Sequence, residues 1–144
     1  MCFSNIYYND IKFVHPKDLD WSKVTEAFIS PGIDLKIKSL SKSTTFKTPL
    51  YRDLELYSQI TKNKNIIAVT GTNGKSTTTA LIGHLLNKLG KKAVIGGNIG
   101  KPALTLSSMG ENGIYVLELS SYQLELISSP TFNLSVDLNG CGLL

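Results

Sequence analysis

Cysteine is nearly absent: Cys2 and Cys141 are the only two, one near each end of a 144-residue chain. They share no metal-ligand spacing and form no disulfide framework, so free reduced thiols are the expected state. Histidine is as scarce. His15 precedes Pro16 in a loop and His84 falls on the polar side of a helical pattern, so neither offers a ready metal ligand or base. Long apolar runs are missing as well. None reaches the roughly 18 residues that cross a bilayer, so membrane insertion is not expected. The opening MCFSNIYYND lacks the basic and apolar regions of a secretion signal, which makes the cytoplasm the natural compartment. Charge of one sign is weak: 15 Lys and Arg against 11 Asp and Glu leave a formal +4. The basic residues concentrate at Lys36, Lys38, Lys42, Lys47, Lys62 and Lys64. Ser and Thr fill the space between them, where a nucleic-acid surface would interleave aromatics, so a solvated face is the reading.

What is present is a globular composition, 42% hydrophobic and 18% charged, in a length that suits one domain or two incomplete pieces. Within it Ile66 to Thr79 reads IIAVTGTNGKSTTT. An apolar, β-branched run meets a glycine-bearing turn and then a helical pattern, an order suited to holding a polyphosphate. Gly71 and Gly74 let backbone N–H groups turn toward an anion without a Cβ in the way. The following helix directs its unsatisfied N–H groups and positive end at the same spot. Lys75 can reach outer phosphates, and the Ser76 hydroxyl can ligate Mg²⁺. The general phosphate-loop pattern has glycine where Val69 stands, and an ordinary helix start is the plainer alternative. The strand before and the helix after favour a nucleotide triphosphate.

Upstream, Ile11 to Val14 and Thr25 to Ile29 are short extended candidates, and Ser30-Pro31-Gly32 makes a turn. Asp53 is placed to cap a helix running through Leu54, Leu56, Tyr57 and Ile60. Residues 1–60 show no hydrophobic core of their own, as in an appendage or part of a larger domain. Downstream, strand and helix alternate. Leu81, Ile82, Leu85, Leu86 and Leu89 recur at helical spacing, with Gly90 as the stop. Ala93 to Ile95, Ile114 to Leu119 and Phe132 to Leu138 read as strands; Pro102 can open a helix and Ser121 to Ile127 a helical turn or two. This pattern predicts an α/β fold with a mostly parallel sheet and flanking helices.

Glu118 interrupts an apolar strand near its C-terminal end, the edge where open α/β sheets bind ligands. A carboxylate there can hold Mg²⁺ already bridged to phosphates; the alternative is a strand-end Glu that reaches solvent. Gly96-Gly97-Asn98-Ile99-Gly100 permits close approach to a ligand or simply turns the chain. Ser120, Ser121 and Gln123 can hydrogen-bond a substrate or cap the next helix.

Together TGTNGKST at 70–77, GGNIG at 96–100 and LELSSYQLE at 117–125 resemble the Mur ligases, most of all the branch that adds D-glutamate. SPGI at 30–33 and DLEL at 53–56 also fit that pattern. The resemblance implies a partial N-terminal UDP-substrate domain and linker over 1–60 and a partial P-loop-type central ATP-binding domain over 61–144. It also implies that the C-terminal domain is absent, so that the chain looks like the middle of an enzyme cut at both ends. The implied activity is an ATP- and Mg²⁺-dependent ligase of peptidoglycan synthesis. It joins D-glutamate to UDP-N-acetylmuramoyl-L-alanine through an acyl phosphate, and the alternative is a non-catalytic ATP-binding fragment. Gly71, Thr72, Asn73, Gly74, Lys75, Ser76 and Thr77 would bind ATP, with Lys75 and Glu118 catalytic and Ser76 and Glu118 on the metal. Ser30, Asn98 and Ser120 would touch the UDP-sugar. The family works as a monomer, and a shortened copy would be poorly soluble or would lean on a complementing fragment, its sheet edges being uncovered.

Overall fold

The computed structural model describes residues 14–61, 65–127 and 132–139. Residues 11–13 of the first extended candidate, Lys62, Lys64, both cysteines and the run from Gly140 lie outside them. Strands β1 (Ala27–Ile29) and β2 (Leu50–Arg52) pair in parallel, Ala27 opposite Leu50, with the short helix α1 (Ser41–Thr45) between them in the chain. Helix α2 (Asp53–Ile60) leaves β2 directly. There follow β3 (Asn65–Thr70), α3 (Lys75–Lys88), β4 (Ala93–Gly97), β5 (Ile114–Glu118), α4 (Ser121–Leu124) and β6 (Leu134–Asp137). The last four strands form one sheet in the order β4-β5-β3-β6, with every neighbouring pair parallel. The fold is α/β, parallel sheets flanked by helices, as the alternation predicts.

The two faces of this sheet follow from side-chain alternation along each strand. Ile66 and Ala68 of β3 share one face with Tyr115 and Leu117 of β5, and there they pack with Leu54 and Tyr57 of α2 and with Ala103. The apolar side of α2, at the end of the 1–60 segment, is thus spent on the central sheet. Each fully buried Leu or Ile in this layer contributes on the order of 1.5–3 kcal/mol by burial. Tyr57 lies edge-on to Tyr115 with ring centroids 6.5 Å apart. Burial first, and Tyr115 second, push its phenol above the ordinary tyrosine range, so it stays neutral.

The opposite face, with Val69, Ile95 and Val116, receives α3. Gly83 makes the approach close: a Cβ there would lie 2.6 Å from Cδ1 of Ile95. Thr79 and Gly83 are the buried positions of the helix, Ile82 and Leu86 are half-buried, and Leu81, Leu85 and Leu89 face outward. The leucine spacing therefore marks a helix without marking its inner side. Gly90 ends it as expected: its N–H reaches Asn87 O at 3.1 Å and Lys91 N–H reaches Leu86 O at 2.9 Å, the pair of bonds of a Schellman stop.

Local expectations shift in places: the strand expected over Phe132 to Leu138 is Leu134–Asp137, and Val14 lies in no strand. Asp53 is the first residue of α2 rather than its cap; Arg52 takes the cap position, its backbone extended and its side chain committed elsewhere. An acidic first turn still suits the positive helix end. Pro102 precedes only a 3₁₀ turn, Ala103–Thr105. Thr105 Oγ1 donates back to Pro102 O at 2.8 Å, closing the turn locally, and Leu106 runs on extended. The strand expected from Thr25 begins at Ala27. No helix among the described residues is long and apolar enough to cross a membrane. His15 serves its own backbone, Nδ1 accepting Lys17 N–H at 3.3 Å, and His84 is exposed on α3.

Candidate functional site

The C-terminal ends of four parallel strands lie side by side, so the segments after them gather at one edge: Gly71–Gly74 after β3, Asn98–Gly100 after β4, Leu119–Ser120 after β5 and Leu138–Asn139 after β6. Gly71 holds φ 133°, and a Cβ there would sit 2.7 Å from Leu138 Cβ, so the loop can pass the end of β6 only without a side chain. Asn139 Oδ1 accepts the Thr72 N–H at 2.6 Å. The loop is thus pinned to the neighbouring strand's exit.

Gly74, in the left-handed region at φ 78°, begins α3 and carries no side chain to cap it. The first backbone bond of the helix closes from Thr78 N–H to Gly74 O at 2.9 Å. The amides of Lys75, Ser76 and Thr77 precede that bond and have no partner within the helix, which leaves a positive helix end uncapped. The Lys75 ammonium folds back over the loop, donating to Gly71 O at 2.7 Å and Thr72 O at 3.2 Å. Residues 71–77 therefore form the continuous loop and helix start that the sequence predicts.

Glu118 sits at the end of β5, opposite Val69 of β3 and Gly97 of β4, and is 2% exposed. Alternation turns its side chain to the α3 face, away from the apolar layer holding Leu117 and Leu119. Ser76 Oγ donates to Oε2 at 2.7 Å and Asn98 Nδ2 to Oε1 at 3.0 Å. A buried carboxylate is normally paired, and here its partners are a hydroxyl and an amide, neither carrying charge. Hydroxyl and carboxylate oxygens in contact are donors of the kind a hard divalent cation takes. Among the described residues no three His, Cys, Asp or Glu side chains gather, so a cation here would complete its shell from other oxygens.

Ser120 is engaged in a reciprocal cap of α4. Its Oγ accepts Gln123 N–H at 3.3 Å, while Gln123 Oε1 accepts Ser120 N–H at 3.1 Å. Ser120→Ala should lower stability by about 1 kcal/mol in urea unfolding, a typical cap loss. An unchanged midpoint would show that the box contributes nothing. Ser30 is apart from this edge, in a turn closed by Ile33 N–H to Ser30 O at 3.0 Å. There a cleft of about 570 Å³ is lined by Pro31–Lys36, Arg52, Tyr122 and Glu125. Arg52 organises it from full burial: Nη1 donates to Ser30 O at 2.6 Å and Ile33 O at 3.1 Å, and Nη2 meets Glu125 Oε2 at 2.7 Å. The structure thus joins Lys75, Ser76, Asn98 and Glu118 at one edge and leaves Ser30 away from it, in the turn that precedes a second cleft, its carbonyl linked to α4's end through Arg52. Sequence reading missed Arg52, Glu125 and Asn139. A lone arginine just before DLEL was the one available signal for the first.

Residues 69–137 match the Mur ligase middle domain. Over this stretch the chain is similar to the Mur ligase family. The Mur ligase match begins at Val69 and ends at Asp137, so it takes in the loop at 71–77, Asn98, Glu118 and Ser120 and leaves Ser30 and Arg52 upstream. Curated relatives extend the likeness. A UDP-N-acetylmuramoylalanine--D-glutamate ligase of Wolbachia sp. subsp. Brugia malayi (strain TRS) is 44% identical over 137 residues, covering 90% of this chain and 27% of its own length. The same-named protein of Rickettsia felis is 42% identical over 95% of this chain and 30% of its own length. That of Caulobacter sp. (strain K31) is 44% identical over 76% of this chain and 26% of its length. The chain spans between a quarter and a third of the length of these Mur ligase relatives.

Proposed function

We propose that this chain is a nucleotide-binding part of a ligase of peptidoglycan synthesis, one that joins D-glutamate to UDP-N-acetylmuramoyl-L-alanine at the expense of ATP. The observation that carries the reading is the meeting of Ser76 and Glu118, 2.7 Å apart, beside Lys75 at the uncapped start of α3. Two residues 42 positions apart in sequence bring oxygen donors together where the helix end draws anions. The names carried by the relatives supply the substrates.

In this reading the amides of Gly71 to Thr77 cradle the phosphates of ATP and Lys75 leaves its loop carbonyls to meet the outer ones. Ser76 and Glu118 hold Mg²⁺, which when bound neutralises charge on the phosphates. Asn98 and Ser120 face the UDP-sugar from the same sheet edge, and Ser30 from the turn beside the second cleft. Residues 1–60 serve as a UDP-substrate segment and linker, and 61–144 as the ATP-binding portion. The protein's own contribution is positioning and charge compensation, the usual work of a phosphoryl-transfer site. The setting is cytoplasmic, where ATP is available, and such a chain acts as a monomer or beside a complementing polypeptide.

Calorimetric titration with ATP and Mg²⁺ tests the reading. Binding should be measurable, and Lys75→Ala should weaken it about 10–100-fold, the value of a charge-assisted hydrogen bond of roughly 1.5–3 kcal/mol. No affinity for any adenine nucleotide, or equal affinity in Lys75→Ala, would refute it.

A further inference from the structure

We propose that Asn98 is a positioning residue for Glu118, fixing the carboxylate so that an arriving divalent cation meets a ligand already in place. The inference rests on the reading of Glu118 as a metal ligand and assigns Asn98 a role besides substrate contact. Asn98 grips Glu118 at two points. Its backbone N–H donates to Glu118 O at 2.8 Å, and its side-chain Nδ2 donates to Oε1 at 3.0 Å. One residue thereby ties the carboxylate to its own main chain, and rotation about the intervening bonds would break one of the two contacts. Gly97 makes the grip possible. It lies opposite Glu118 in the β4–β5 register and turns through φ 101°, so close above Glu118 O that a Cβ could not fit.

The chemistry of the grip suits a metal ligand. A carboxylate has about four lone-pair sites, and the two hydrogen bonds from Asn98 and Ser76 occupy two of them. The amide of Asn98 carries no charge, so it orients Glu118 without neutralising it. A lysine or arginine at that place would hold the same oxygen and oppose a cation. Partners that orient metal ligands from behind typically change metal affinity by 10–100-fold when removed.

Mn²⁺ titration followed by electron paramagnetic resonance, on the full chain saturated with ADP, separates the possibilities. Asn98→Ala should weaken Mn²⁺ binding about tenfold or more relative to the unaltered chain, with Glu118→Ala as the limiting case. Unchanged Mn²⁺ affinity in a folded Asn98→Ala protein would overturn the proposal and leave the nucleotide reading standing. Should that variant fail to fold, the side-chain amide resonances of Asn98 in the unaltered chain decide. They should move when Mg²⁺ is added to the ADP-bound protein, and stationary resonances would overturn it. If the unaltered chain binds ADP but gains no Mn²⁺ site that Glu118→Ala removes, the metal reading itself fails and the proposal falls with it.

Discussion

Gly97→Ala should destabilise the protein by about 2–5 kcal/mol. Two costs add there. A Cβ at φ 101° is strained by roughly 1–2 kcal/mol, and forcing it against the backbone carbonyl of Glu118 adds an overpacking cost of about 1–3 kcal/mol. Gly100 is the internal control, three residues on in the same loop. Its φ is 64° and a Cβ there would meet nothing within 4 Å, so Gly100→Ala should cost only about 1 kcal/mol. Denaturant unfolding of both variants gives the comparison directly. Equal losses would mean that the passage over Glu118 is looser than its geometry implies.

Arg52→Ala should be nearly as damaging, at about 3–4 kcal/mol. The guanidinium is 1% exposed and holds the carbonyls of Ser30 and Ile33 as well as Glu125. Removing it leaves two acceptors without their charged donor and a void the size of a long side chain. Glu125 is 49% exposed, so Glu125→Gln should cost under about 1 kcal/mol, the range of a solvent-screened pair. Arg52→Lys should recover only part of the loss, since one ammonium cannot span partners that a planar fork reaches together. Unfolding midpoints of the three variants test this, and a loss in Glu125→Gln equal to that in Arg52→Ala would locate the stabilisation in the ion pair instead of the loop carbonyls.

The contrast between these sites shows what was legible. The β3–loop–α3 unit could be read because its signals are contiguous: an apolar β-branched strand, glycines at the turn, and helical spacing after Lys75. Glu118 was legible for a different reason, a charge inside an apolar run having few places to go except a ligand or a partner. Arg52 was not, because its partners lie 19, 22 and 73 positions away and only the folded chain brings them to one point. The same holds for Asn139, which reaches Thr72 across 67 positions. Strand β2 is three residues long and becomes a strand by pairing with β1, a tertiary event with little local signature. In α3 the spacing of five apolar residues fixed the element type, whereas Gly83 against Ile95 decided which side turned inward. Ser120 was read with both its possible roles, and the cap is the one visible in hydrogen bonds.

The placement of Ser76 and Glu118 carries a mechanical consequence. One follows β3 and the other ends β5, and those strands are laced together from Asn65–Ile114 to Val69–Glu118. Their separation is set by that ladder together with the packing of α3, which carries Ser76, against β3, β4 and β5, so tilting or sliding of neighbouring bodies does not by itself pull the two oxygens apart. Whatever rearranges around it, this pair travels as a single rigid jaw, and any opening or closing must come from what approaches it.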